Sequence, residues 1–219
     1  MTTAPSPTRL FGFGGLLESG KDTIADHLVD KYGFAKVNMS DPIDMALRIL
    51  NPIVLVSIIR RSWLHRLWDA LCGHEPQLLI QRYDDVRTEL GFTKAKTILE
   101  FRALMQRFGV EVGRQLIDNN IWVNIAERTI REHLAAGRGV CVSGVRFTDE
   151  QKLISRLDGT LVWVDRPGHL TPASANARHS SEVTLGADGF DVTILNDSSI
   201  AALQSRAERE LLKLTGRAA

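Results

Sequence analysis

The sequence predicts a three-layer α/β/α fold around a parallel sheet of about five strands. Helical patterns alternate with short apolar runs, and strands that alternate with helices form parallel sheets covered on both faces. A chain of 219 residues is long enough for one domain with a full core. The apolar runs that have the composition of buried strands are Leu10–Gly14, Ala35–Met39, Gly139–Ser143, Thr160–Val164 and Asp191–Leu195.

Helical segments lie between these runs. The segment Lys21–Tyr32 places its apolar side chains on one face, and Gly33 ends it in the position that favours glycine after a helix. Spacing of the same period predicts further helices at Glu100–Leu116, Asn119–Ala136, Asp149–Leu157 and Ser198–Leu214. Thr148 or Asp149 is the predicted N-cap of the third of these helices.

Two stretches interrupt the alternation, although we expect a single domain over residues 1–219. Residues 41–91 are predicted to form a long and mostly helical insertion after the second strand. Residues 166–182 form a loop rich in Pro, Ser, Ala and His before the fifth strand. Long loops in compact domains often close over ligands, so this loop is interpreted as a short lid, with plain surface irregularity as the alternative.

Composition and charge exclude several classes of protein. Apolar residues make up 44% and charged residues 24% of the chain, and the formal net charge of +1 argues against binding to a nucleic acid polymer. The two cysteines cannot form a disulfide framework or a metal site, which favours a reducing cytoplasm. We expect no signal peptide and no membrane span, because no apolar stretch is long enough. A monomer and a homodimer are both compatible with the sequence.

A phosphate-binding loop (P-loop) is predicted directly after the first strand. Gly15, Gly20 and Lys21 match the pattern G-x-x-x-x-G-K, and an amphipathic helix starts at the lysine. Glycines let main-chain N–H groups approach phosphate oxygens, the helix N-terminus adds positive potential, and the lysine ammonium contacts the β- and γ-phosphates. The residues predicted to bind ATP are Gly15, Glu18, Ser19, Gly20, Lys21, Asp22 and Thr23.

Asp22 stands where Ser or Thr usually follows the lysine of this pattern. A carboxylate beside phosphates is repelled unless a cation offsets its charge. Asp22 is therefore predicted to hold Mg²⁺, directly or through a water molecule, or to pair with an arginine, while Thr23 supplies a hydroxyl. The alternative is that Asp22 only favours the start of the helix, where a negative charge interacts well with the helix dipole.

Five segments of the chain form a set of short motifs. Besides the Gly-Lys-Asp-Thr of the P-loop, they are Leu104–Arg114 with Trp122 after it, Val145–Glu150, His179–Glu182 and Asp191–Leu203 with Asn196. In this order, they resemble the motifs of the phage-type deoxynucleoside monophosphate kinases. Each segment alone is a short motif, and their order makes the set specific. The resemblance covers nearly the whole chain and is thinnest over residues 51–90.

The resemblance implies an enzyme that converts a deoxynucleoside monophosphate and ATP into a diphosphate and ADP, in the cytoplasm of the host cell if a phage encodes it. It also implies a P-loop NTPase fold whose insertion binds the monophosphate. Carried over residue by residue, the resemblance implies a catalytic set of Ser19, Lys21, Asp22, Thr23, Arg146 and Glu150. Of these, Lys21, Asp22, Arg146 and Glu150 are predicted to be catalytic, and Asp22 and Thr23 are predicted to hold Mg²⁺. One position departs from the family, since its Asp before Val-Arg-Phe is Gly144 here, which leaves Asp22 or Glu150 to anchor the metal.

Positive side chains are predicted to gather the two anionic substrates, because the task of such an enzyme is to align two anions and offset their repulsion. Arg146 lies just past the third predicted strand, where parallel sheets bind ligands, and Glu150 is spaced to orient it; a surface salt bridge is the alternative. Solvated helix faces are the alternative for the other arginines, and core packing for the tryptophan. The predicted substrate-binding residues are Arg102, Gln106, Arg107, Arg114, Trp122, Arg166 and Arg178.

Two other classes of protein share parts of this pattern. The first is another small-molecule P-loop kinase, such as a dephospho-coenzyme A kinase or a phosphomevalonate kinase, and the latter resembles this chain in having Asp after the Lys. The second is a non-catalytic nucleotide switch, because Asp165–Gly168 matches the D-x-x-G pattern of GTPases, although it follows the fourth strand and no guanine-binding Asn-Lys-x-Asp occurs. The segments Gln106–Arg114 and Arg146–Glu150 favour the deoxynucleoside monophosphate kinase.

Overall fold

The computed structural model describes residues 9–16, 18–58, 78–168 and 186–214. The chain divides into two compact units, the first made of Met1–Asp41 and Asn120–Ala219 and the second of Pro42–Asn119. The described strands are β1 Leu10–Gly14, β2 Ala35–Asn38, β3 Ile53–Ile58, β4 Leu78–Arg82, β5 Val140–Ser143, β6 Thr160–Asp165 and β7 Val192–Leu195. The described α-helices are α1 Lys21–Tyr32, α2 Asp41–Leu50, α3 Tyr83–Leu90, α4 Phe92–Ala95, α5 Leu99–Arg107, α6 Ile121–Ala135, α7 Thr148–Arg156 and α8 Ile200–Leu214.

The first unit is built on a five-stranded parallel sheet in the order β2-β5-β1-β6-β7. Leu28 of α1 and Leu211 of α8 are buried in one core cluster, and Ile130 of α6 and Ile154 of α7 in another. Every residue of the central strand β1 is buried, as expected for a strand covered on both faces. Each large apolar side chain buried in this way contributes roughly 1.5–3 kcal/mol. The predicted three-layer α/β/α fold is confirmed.

The predicted strands of this sheet all occur, and their ends differ from the prediction by at most one residue. Buried parallel strands appear in a sequence as continuous apolar runs, which is why these could be located. The helix predicted at Asp149–Leu157 begins at Thr148, with Phe147 as its N-cap, so the prediction of Thr148 or Asp149 as the cap was wrong. The carboxylate of Glu150 meets the free N–H groups at this helix start instead.

The second unit differs from the sequence prediction because it contains a pair of antiparallel strands. The insertion over residues 41–91 was predicted to be mostly helical, but Ile53–Ile58 pairs with Leu78–Arg82. The run IVLVSI is rich in β-branched side chains, which fit a pleated strand better than a helix. The helix predicted over Glu100–Leu116 is also divided, since α5 continues into a π-helix at Phe108–Ile117.

A buried polar cluster lies within the second unit. The Tyr83 hydroxyl donates a hydrogen bond to Asp44 Oδ1 at 2.9 Å, and Arg87 Nε donates to Asp44 Oδ2 at 3.1 Å. The Tyr83 ring stacks on Phe101 with a centroid distance of 4.2 Å. Both oxygens of the buried carboxylate therefore have partners, as a buried charge requires.

Residues 169–185, which include most of the predicted lid, lie outside the described residues. The prediction of one domain over residues 1–219 stays a prediction. In the described part of the chain, no helix has the length and apolar character to cross a bilayer.

Candidate functional site

The P-loop lies at the edge of the sheet where the strands end, which is the edge at which parallel sheets bind ligands. The N–H of Ser19 donates to the carbonyl of Leu16 at 3.2 Å, and the N–H of Ile24 donates to the carbonyl of Gly20 at 3.1 Å, which begins α1. Ser19 is only 2% exposed, and its Oγ has no hydrogen-bond partner among the described residues. Buried hydroxyls are normally paired, so the Ser19 hydroxyl is a candidate contact for a ligand.

Lys21 is a buried ammonium at the first position of α1. The residue is 6% exposed, and its Nζ donates to the carbonyl of Leu16 at 3.1 Å. Burial lowers the pKa of Lys21, and the positive charges of Arg146 and Lys36 lower it further, while Asp22 acts in the opposite direction. The position therefore concentrates positive charge, which suits an anion with several charges.

Asp22, on α1, contacts one residue from each of two strands, β2 and β5. Its Oδ1 accepts a hydrogen bond from Ser143 Oγ at 2.7 Å and lies 3.2 Å from Lys36 Nζ. Partial burial raises the pKa of Asp22, but the Ser143 hydrogen bond and the charges of Lys36 and Lys21 outweigh that effect and bring it below its ordinary value. Asp22 is therefore a carboxylate at neutral pH.

The residues at the start of α1 fit a magnesium ion. Asp22 has a side chain that is 57% exposed, and both of its contacts use Oδ1, so Oδ2 has no partner among the described residues. Thr23 follows with a hydroxyl. No group of three or more His, Cys, Asp or Glu side chains in the described ranges forms a complete metal cage. Magnesium commonly uses one or two carboxylates together with substrate phosphates and water, and this donor set matches that pattern.

Arg146 follows β5 at the same edge of the sheet, and its backbone is fixed by Glu150. Glu150 is 4% exposed, and its Oε2 accepts hydrogen bonds from the main-chain N–H of Arg146 at 2.7 Å and of Phe147 at 3.2 Å. Glu150 thus positions Arg146 through the main chain. Gly144 has φ +83°, a conformation that an aspartate, the residue expected here from the sequence resemblance, would adopt only with strain.

A family model described as deoxynucleotide monophosphate kinase matches residues 74–207, more than half of the chain. The chain belongs to the deoxynucleotide monophosphate kinase family. The kinase is therefore a phosphotransferase that phosphorylates deoxynucleoside monophosphates, and the family implies ATP as the co-substrate. The family match confirms the resemblance and the activity predicted from the sequence. It does not favour the alternatives, another small-molecule P-loop kinase or a non-catalytic nucleotide switch.

Named relatives of the kinase come from viruses. A protein of Acanthamoeba polyphaga mimivirus assigned as a deoxynucleotide monophosphate kinase is 28% identical over 207 residues, covering 90% of this chain and 93% of its own. The deoxynucleotide monophosphate kinase of Enterobacteria phage T4 is 22% identical over 246 residues, covering 93% and 98%. Among solved structures, TT1252 from Thermus thermophilus matches with a TM-score of 0.50 and 16% identity, covering 94% and 97%, which is a likeness of fold.

Three residues around the P-loop of the kinase were missed by the sequence analysis. Lys36 and Ser143 contact Asp22, and Asn196 Nδ2 donates to the carbonyl of Ser19 at 2.9 Å. A lysine inside the short apolar run of β2 was a usable signal, because strands covered on both faces rarely contain an unpaired charge. Ser143 carries no local signal beyond its place at the end of a predicted strand, whereas Asn196 lies in the segment Asp191–Leu203 that resembles the family but was given no role in the site.

The residues predicted to bind substrate fall in both units of the kinase. In the first unit, Trp122 is 5% exposed, and Arg166 donates from Nη1 to the carbonyl of Glu18 at 3.2 Å. In the second unit, Arg114 Nη1 donates to the carbonyl of Asn119 at 3.3 Å, and Arg107 Nε lies 3.7 Å from Glu111 Oε2.

Arg102 and Gln106 are half-buried and lie one turn apart on α5, so they share a face of that helix. Arg178 lies outside the described residues. Of the predicted site residues, Asp22 and Arg146 interact electrostatically with Lys21 beside the P-loop, and Arg166 contacts the loop at the Glu18 carbonyl.

Proposed function

We propose that the kinase binds ATP·Mg²⁺ on Gly15, Glu18, Ser19, Gly20, Lys21, Asp22 and Thr23, and transfers the γ-phosphoryl group to a deoxynucleoside monophosphate. One observation carries the proposal: the start of α1 combines a buried ammonium, an orphaned buried hydroxyl and a carboxylate with one unpartnered oxygen. The kinase acts on free nucleotides, and, given its viral relatives, its place of action is the cytoplasm of an infected cell.

The triphosphate is held by positive charge at the helix start. Main-chain N–H groups at the N-terminus of α1 are not used within the helix, so they are available to phosphate oxygens. Lys21 places its ammonium on the β- and γ-phosphates, where charge shifts during transfer. Asp22 Oδ2 and the Thr23 hydroxyl are the groups of this chain that would hold magnesium, which would supply further positive charge to the triphosphate.

The transfer step needs positioning more than proton transfer. The acceptor phosphate has a second pKa near 6, so its attacking oxygen is already mostly ionised at neutral pH (about 7). Arg146 stabilises the phosphoryl group as it moves, and Glu150 keeps Arg146 in place through the main chain. Arg166 supports the donor side, because its contact is with the Glu18 carbonyl of the P-loop.

The acceptor is bound by residues that follow the family motif. Arginines provide a planar fork of donors that matches a phosphate group. Trp122, which is buried in α6, contributes packing beside the base. The proposed acceptor-binding residues are Arg102, Gln106, Arg107, Arg114, Trp122 and Arg178.

Purified kinase incubated with ATP, Mg²⁺ and each deoxynucleoside monophosphate in turn is expected to form the matching diphosphate and ADP. The reason is that the proposed site places positive charge beside the phosphates of both nucleotides, which favours transfer between them. Product identification by chromatography measures the outcome and gives the base preference. Turnover only with dephospho-coenzyme A or phosphomevalonate, or slow GTP hydrolysis with no transfer, would contradict the proposal.

Replacing Asp22 with alanine is expected to raise the magnesium concentration for half-maximal turnover by about tenfold or more, because the substitution removes a carboxylate ligand. The measurement is a magnesium titration of turnover at saturating ATP, repeated as ATP binding by calorimetry. Asp26→Ala is the matched control, since Asp26 lies one turn further along α1 and contacts the same lysine, with Lys36 Nζ 2.7 Å from its Oδ1. An unchanged magnesium titration in Asp22→Ala would show that Asp22 does not bind the metal and only stabilises the start of α1.

A further inference from the structure

Asn196 connects the end of β7 to the P-loop. Its main-chain N–H donates to the carbonyl of Asp165 at 2.7 Å, which fixes it beside the end of β6. Its side-chain Nδ2 donates to the carbonyl of Ser19 at 2.9 Å, 177 positions away in the sequence. The side chain of Asn196 therefore binds a main-chain carbonyl group of the P-loop.

The direction of that carbonyl determines the direction of an N–H group. The peptide bond is planar and trans, so the carbonyl oxygen of Ser19 and the N–H of Gly20 point to opposite sides of the Ser19–Gly20 peptide. With the carbonyl hydrogen-bonded to Asn196, the Gly20 N–H faces the other way. This N–H has no protein acceptor among the described residues, so it is available to a ligand.

Gly20 and Asn196 also lie so close together that a side chain at position 20 would collide with Asn196. Gly20 has φ +102°, and a Cβ atom at this position would lie 2.7 Å from Asn196 Nδ2 and 2.9 Å from Leu203 Cδ2. Such distances are shorter than real Cβ contacts, so only glycine lets the peptide approach Asn196 so closely. The neighbouring peptide is held in the same manner, because Arg166 donates to the carbonyl of Glu18.

We propose that Asn196 is a positioning residue for triphosphate binding, which holds the Ser19–Gly20 peptide so that the Gly20 N–H points at a phosphate oxygen. This inference rests on the proposed role of the P-loop. The amide donor is the essential feature, because an aspartate of almost the same shape would place a carboxylate oxygen against the Ser19 carbonyl oxygen. The repulsion between these two acceptors favours rotation of the peptide, which turns the N–H away from the phosphate.

The test compares Asn196→Asp with Asp197→Asn, a neighbouring substitution that exchanges the same two chemical groups. Asp197 Oδ1 accepts from Arg206 Nη1 at 3.1 Å, and its side chain has no hydrogen bond or ion pair with the described residues of the loop. Affinity for ATP·Mg²⁺ is measured by calorimetry, the KM values for ATP and for the deoxynucleoside monophosphate by steady-state kinetics, and the Tm by thermal unfolding. Asn196→Ala is a second variant that removes the donor without adding a charge.

We expect Asn196→Asp to weaken ATP binding about tenfold or more and Asn196→Ala to weaken it by several-fold, with the KM of the monophosphate unchanged and Asp197→Asn like the wild type. ATP affinity within twofold of the wild type in both Asn196 variants would overturn the inference. A lower Tm with equal increases in both KM values would also overturn it, because that result describes a general structural tie. If the wild-type kinase binds no ATP, the proposed P-loop function fails first and the inference fails with it.

Discussion

Replacement of Lys21 with methionine is expected to lower kcat by about 10³-fold without lowering the Tm. The loss in rate follows from the place of the ammonium, since one preorganised positive group aimed at developing charge is worth roughly two to three orders of magnitude in rate. Methionine keeps most of the length and volume of the lysine side chain, so the loop retains its packing.

The unchanged or higher Tm has a separate physical reason. Lys21 is 6% exposed, and burial lowers its pKa, which means that the folded protein disfavours the charged form compared with the unfolded chain. Because the folded-state pKa is depressed, this ammonium destabilises the fold fully at a pH below the folded-state pKa, and the penalty disappears as the pH rises to the unfolded-state pKa. A methionine removes that penalty, so loss of activity cannot be ascribed to unfolding.

Steady-state kinetics, ATP calorimetry and thermal unfolding of Lys21→Met provide the measurement. Lys152→Met is the control, because Lys152 is an exposed lysine on α7 in the same unit. A kcat within tenfold of the wild type in Lys21→Met would remove the ammonium from the transfer step. A large fall in Tm would show that the buried ammonium is needed for folding.

The fold could be predicted where the signal is local. Most strands of the five-stranded sheet are short, mainly apolar runs between helical patterns, and such runs can be located without knowledge of the strands they pair with. The strands β3 and β4 were missed because each is stabilised as a strand by pairing with the other, and this pairing is not visible in either segment alone. A short apolar run has the same appearance in a buried helix and in a strand, so its partner decides the outcome.

The same distinction applies to the site. Gly15, Gly20, Lys21 and Asp22 are close in the sequence and could be located from their spacing. The contacts that orient them come from the ends of other strands, since Ser143 lies 121 positions from Asp22 and Asn196 lies 177 positions from Ser19. Only the order of the strands in the sheet brings these ends together, and one sequence does not contain that order.

Removal of the Arg146 guanidinium is expected to have the second large effect, a loss of about 10²- to 10³-fold in kcat for Arg146→Ala with ATP affinity close to that of the wild type. The guanidinium acts on the phosphoryl group during transfer, whereas the ground-state triphosphate is held by the P-loop. Its positive charge contributes to the lowered pKa of Lys21, so the two groups interact electrostatically. Arg146→Lys should keep part of the rate, because it retains the charge without the fork of donors.

Single-turnover rates and ATP calorimetry on Arg146→Ala separate the transfer step from binding. The control is Arg138→Ala, an exposed arginine in the turn before β5, which is expected to leave both quantities unchanged. The backbone of the segment does not depend on the guanidinium, because Glu150 Oε2 binds the main-chain N–H groups of residues 146 and 147. The variant therefore removes the guanidinium while the main-chain hydrogen bonds to Glu150 remain possible, and a wild-type transfer rate would show that Arg146 takes no part in the transfer step.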